Sequence, residues 1–176
     1  MTNYLKYSII CCLLLVLASC QTSKKEPKAM AETLPVVHIP DSLFRLDIID
    51  NENFVRITIP EGIDFELPDS FAKTEPEKYA DFNGDNKPDL MVYLGACGTG
   101  GCMYGIFLNQ YDNYYKLVFM DYLKGTTFEK DENGFLSFQS YEEVTPMNPS
   151  KLYVTTFKFD PKAYVYKIDN TFVQAN

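Results

Sequence analysis

The chain has 176 residues, 46% hydrophobic and 23% charged, enough apolar content for one domain to bury a core and too much for a disordered chain. Acidic residues outnumber basic ones 24 to 16, giving a net charge of -8 and a pI of about 4.6. That balance argues against a nucleic-acid partner, because gripping phosphate backbones requires a basic surface.

The first elements are an address and a tether. Lys6 gives a short positive start, and Ser8 to Ala18 is an apolar run too short to cross a bilayer. Leu17-Ala18-Ser19-Cys20 resembles the bacterial lipobox. The resemblance implies a signal peptide over 1–19, lipid on Cys20 and residence in the bacterial cell envelope, at the outer membrane or cell surface. Membrane contact would then run through that lipid. An uncleaved anchor or a plain secretory peptide is the alternative. Removing 1–19 takes away one lysine and makes the chain more acidic by one charge. Residues 20–34 (QTSKKEPKAMAETL after the cysteine) are polar with little periodicity and read as a flexible tether, leaving 35–176 as a single domain.

From Pro35 onward the pattern has period two, which predicts an all-β fold of mostly antiparallel sheet, a sandwich or open barrel, with about eight to ten strands. Phe44 to Ile48 and Phe54 to Ile59 alternate. Leu90 to Leu94 is continuously apolar, as in a central strand buried on both faces. Met103 to Leu108 and Tyr115 to Phe119 flank a turn at Gln110 to Asn113. Gly134 to Tyr141, Lys151 to Phe159 and Ala163 to Ile168 follow, with turns at Asp131 to Gly134 and Asp160 to Lys162. The best helical signal, Ser70 to Ala80, is interrupted by Pro76 and allows one or two short turns at most. Thirteen Tyr and 13 Phe without Trp suit cross-strand packing.

Asp81-Phe82-Asn83-Gly84-Asp85-Asn86-Lys87-Pro88-Asp89 carries oxygen side chains at loop positions 1, 3, 5 and 9. A hard cation such as Ca²⁺ takes six to eight oxygens from a curled loop. Asp81, Asn83, Asp85 and Asp89, with the main-chain carbonyl of Lys87, form a candidate set. Position 12 is Val92, so this is not an EF-hand. The same residues could instead make Asx-turns in a polar loop.

This stretch is similar to the calcium loops of FG-GAP and VCBS-type repeats, in which an Asp-rich loop precedes an apolar strand and a hairpin ending in Phe-Leu-Asn. Here Leu90 to Leu94 and then Ile106-Phe107-Leu108-Asn109 follow. The match occurs once, over about 35 residues. It departs at Asn86, where those loops carry Gly, and the position calls for a left-handed backbone that Asn tolerates. The resemblance implies a structural Ca²⁺ that pins the loop.

Gly95-Ala96-Cys97-Gly98-Thr99-Gly100-Gly101-Cys102 follows. In an oxidising compartment the two cysteines are expected to pair, with the glycines permitting the sharp turn. One histidine in the chain cannot complete a zinc site with them. A redox-active pair and a phosphate loop are weaker alternatives, since neither the C-x-x-C nor the Walker A spacing is present. The expected outcome is a constrained surface loop beside the cation loop.

No residue is assigned a catalytic role. His38 reads as a strand residue, and no G-x-S-x-G, H-E-x-x-H or S-x-x-K pattern occurs. Glu61 with Asp64 and Glu142 with Glu143 read as solvated acids. Tyr111, Tyr114, Tyr115 and Tyr122 crowd one hairpin and offer contacts to a protein or glycan. The expectation is a lipid-anchored, non-enzymatic binding or interaction module holding Ca²⁺. An inhibitor of a hydrolase and a small hydrolase are the alternatives.

Overall fold

A computed structural model describes residues 40–49, 54–67, 73–74 and 76–175, with backbone alone at 73, 74, 76 and 77. The signal segment, Cys20, the tether and His38 lie outside the described residues. All described residues fall in one compact unit, Val37–Asn176.

The fold is all-β. Eleven strands build two antiparallel sheets, and no helix occurs among the described residues. The larger sheet contains β1 (Leu43–Ile49), β2 (Phe54–Thr58), β3 (Lys73–Thr74), β4 (Pro76–Ala80), β5 (Asp89–Gly98), β6 (Gly101–Tyr111) and β7 (Tyr114–Leu123). Its order is β3-β2-β1-β7-β6-β5-β4. The smaller contains β8 (Thr126–Lys130), β9 (Leu136–Thr145), β10 (Asn148–Asp160) and β11 (Val165–Ala175), in the order β11-β10-β9-β8. Where the sequence offered a short helical turn, Ser70 to Ala80, the described residues pair as β3 and β4. Pro76 denies a helix its backbone donor but is tolerated on an edge strand such as β4.

Alternation becomes burial directly. Phe44 and Leu46 of β1 and Val55 and Ile57 of β2 point to one face and are buried, while Arg45 and Arg56 face water. Both faces of the larger sheet are covered. Leu90, Val92 and Leu94 pack with Phe44, Phe107 and Leu117 beneath Ile63, Phe65 and Leu67 of the segment after β2. Met91 points the other way, into a core shared with the smaller sheet. This explains the unbroken apolar run of β5, although β5 is next to an edge strand rather than central.

Between the sheets lies an aromatic cluster. Phe138 stacks on Phe157 with centroids 4.9 Å apart, and Phe119 meets both rings edge-on at 5.1 Å. Such pairs add about 0.5–1.5 kcal/mol each beyond burial. Tyr166 is buried with its hydroxyl donating to the carbonyl of Leu136 at 2.6 Å, so its polar end is satisfied.

Candidate functional site

The loop between β4 and β5 is held by its own side chains. Asp81 accepts the backbone N–H of Asp85 at 3.1 Å with Oδ1 and that of Asn86 at 3.0 Å with Oδ2. Asn83 Oδ1 shares the Asp85 N–H at 3.3 Å, and Asp85 Oδ1 accepts from Lys87 at 2.9 Å. These bonds curl the chain around the oxygens of positions 1, 3 and 5. Gly84 and Asn86 take φ of 75° and 62°, so the Asn at position 6 adopts the left-handed backbone expected of it.

Asp89 behaves differently. It opens β5 and is wholly buried. Its Oδ2 accepts the Phe82 N–H at 2.8 Å and its Oδ1 the Asn109 N–H at 2.8 Å. The carboxylate therefore ties the loop to the end of β6. Burial pushes its pKa up to about 6, the two backbone N–H bonds oppose the rise, and the charges of Asp85 and Asp81 add to it. Lys87 turns to Asp85, 3.7 Å away, and to the carbonyl of Gln110 at 3.0 Å. Among the described residues, no ion pair reaches Asp89.

Asp81, Asn83 and Asp85 are thus brought into one curled turn, and Asp89 stands behind them with its oxygens engaged. Among the described residues, no three His, Cys, Asp or Glu side chains group as a metal site by themselves. The set here mixes carboxylates with an amide and the carbonyl of Lys87. Each engaged carboxylate oxygen keeps a second lone pair, so the N–H bonds and a hard cation are chemically compatible. Two tyrosine-linked contacts border the loop: Asn83 Nδ2 donates to the Tyr164 hydroxyl at 3.5 Å, and Gln110 Nε2 donates to it at 3.2 Å.

Cys97 and Cys102 are joined in a disulfide. They face each other across the β5–β6 hairpin, beyond a register shift that contains Gly95 and the left-handed Ala96, φ 49°. The disulfide hairpin is not beside the Asp-rich loop. The two sit at opposite ends of β5, and its extended part alone separates them by about 20 Å. Nor does the hairpin project freely. Lys124 Nζ donates to the Thr99 carbonyl at 3.3 Å and also pairs with Glu143, drawing the turn toward β9.

The tyrosines divide as a pleated sheet requires. Tyr115 is buried, whereas Tyr111, Tyr114 and Tyr122 are exposed. Tyr111 and Tyr114 lie opposite each other at the hairpin end, with rings 5.2 Å apart.

A feature that sequence reading missed lies on the outer face of the smaller sheet. Thr127, Gln139, Thr156 and Asn170 are successive cross-strand partners and form one row across all four strands. They line a cleft of about 440 Å³. Only the strand register reveals the row, since the four residues come from four separate stretches of sequence. Comparisons with family models, with characterised proteins and with solved structures find no match.

Proposed function

We propose that this chain is a calcium-stabilised, non-enzymatic binding module, held at the bacterial envelope by lipid on Cys20. The observation that carries the calcium reading is the Asp-rich loop itself. Asp81, Asn83 and Asp85 are curled onto one turn, with the buried carboxylate of Asp89 behind them. Three neighbouring carboxylates repel one another, and a divalent ion would relieve that repulsion. The residues that would hold it are Asp81, Asn83, Asp85 and Asp89 with the Lys87 carbonyl. The ion would supply charge compensation and loop rigidity, as the resemblance to FG-GAP and VCBS-type loops implies.

One observation disfavours the inhibitor alternative: the glycine hairpin is drawn toward β9 by Lys124, which does not suit a protruding inhibitory wedge.

Terbium luminescence tests the ion. Tyr164 touches the loop through Asn83, so it is placed to sensitise a lanthanide bound there. Terbium emission that calcium quenches, and that Asp85→Ala abolishes, is the expected result. Equal emission from wild type and Asp85→Ala would refute the site.

A further inference from the structure

We propose that the outer face of the smaller sheet is a saccharide-binding site, occupied by a neutral oligosaccharide. This names a ligand class for the binding role above and rests on that reading.

The face is organised in three rows. The middle row is Thr127, Gln139, Thr156 and Asn170, all neutral hydrogen-bonding side chains. Beside it runs an apolar row, in which Val154 pairs with Tyr141 on one side and Phe172 on the other. Val154 is fully buried, while the Phe172 ring remains 41% exposed. On the other side is a charged rim in which Lys158 pairs with Asp169 at 2.9 Å. Strands lie about 4.8 Å apart, so the middle row extends for about 14 Å. The cleft of about 440 Å³ falls within the ~300–1,000 Å³ typical of small-ligand sites.

The middle row is set in advance by its own bonds. The Tyr141 hydroxyl donates to Gln139 Oε1 at 2.9 Å and therefore accepts from Thr127 Oγ1 at 2.8 Å. Gln139 Nε2 then donates to Thr156 Oγ1 at 3.4 Å. That direction leaves the Thr156 hydroxyl proton, the second Gln139 N–H and the Asn170 amide available as donors in the cleft these residues line, with Thr127 Oγ1 as an acceptor. Fixed donors and acceptors lower the ordering cost of binding.

The chemistry of the three rows suits a sugar. Hydroxyl groups can meet the neutral donors and acceptors while the ring C–H faces lie on Phe172. The rim carries two facing lysines, Lys158 and Lys167, and each is paired, Lys158 with the bulged Asp169 at 2.9 Å and Lys167 with Asp160 at 2.7 Å, so both cations are compensated and offer little to a phosphate or an acidic peptide.

The test is binding of the full detergent-solubilised chain to an array of short neutral oligomers of glucose, mannose, galactose and N-acetylglucosamine. Retention of at least one oligomer is expected. Gln139→Ala, Phe172→Ala and Thr156→Val should each weaken it by about tenfold or more, equivalent to the loss of one well-placed contact. Thr156→Val keeps a β-branched residue in the strand and guards against misfolding as the cause. Asp112→Asn, in the exposed β6–β7 turn of the larger sheet, should bind as wild type does. Retention unchanged in the three cleft variants would overturn the site. Failure of wild type to retain any oligomer while calcium still stabilises the chain would overturn the saccharide reading and leave the calcium reading intact. Selection of peptides rather than oligomers on the same face would also overturn it.

Discussion

Asp89 and Asn109 are joined by a bond between a buried carboxylate and a backbone N–H, at 2.8 Å, that links the start of β5 to the end of β6. With the matching bond from Phe82, it makes one side chain the clasp between the Asp-rich loop and the larger sheet. Asp89→Ala would leave both N–H groups without this acceptor. The expected cost is about 2–4 kcal/mol in urea unfolding measured with chelator present. A change below about 0.5 kcal/mol would show that the clasp is not structural.

The turn between β10 and β11 gives a pH signature. Asp160 accepts the Lys162 and Ala163 N–H groups and pairs with Lys167 at 2.7 Å. The Lys167 bond, followed by the two backbone bonds, lowers its pKa to about 2. A carboxylate whose folded pKa is depressed contributes stability that is complete above its unfolded pKa, near 4. That contribution is lost as pH falls toward 2. Asp160→Asn should therefore lose less stability than wild type between about pH 4 and pH 2, as followed by circular dichroism. Parallel acid curves would contradict this assignment.

Gly101 is the tightest point of the disulfide hairpin. Its φ is 112°, and a Cβ there would come within 2.1 Å of the Leu123 carbonyl oxygen. Gly101→Ala should lower stability by about 2 kcal/mol or more, from backbone strain and displacement of β7. Gly98→Ala is the control, because a Cβ added there would meet nothing within 4 Å. Equal melting temperatures for the two variants would show that the hairpin tolerates a side chain at Gly101.

Phe138 is the hub of the contact between the sheets, stacked on Phe157 and edge-on to Phe119. Phe138→Ala should cost about 3–5 kcal/mol, and Phe138→Leu clearly less, because the cavity left behind is smaller. A loss under about 1 kcal/mol for the alanine variant would mean that the sheets do not depend on this cluster.

The strands that bury a face were legible in the sequence because alternation is itself the record of burial. Phe44, Leu46, Val55 and Ile57 show this in β1 and β2, and Leu90 to Leu94 in β5. Turns written in Asp, Asn and Gly were legible for the same local reason. β3, β4 and β8 were not anticipated. β4 and β8 are edge strands with few core side chains, and their place depends on main-chain pairing that composition does not encode. The inward commitment of Asp89 was also hidden, since an Asp that clasps backbone and an Asp that faces a loop centre share one letter. The Thr127 to Asn170 row required the register of three hairpins and the bulge at Asp169.

The proposed role of the loop from Asp81 to Asp89 requires that it take up a divalent cation. Thermal unfolding of the full chain in excess chelator, and then in millimolar calcium, tests this most directly. A higher melting temperature with calcium, absent from Asp85→Ala, is the predicted result. An identical melting temperature in chelator and calcium for the wild-type chain would contradict it.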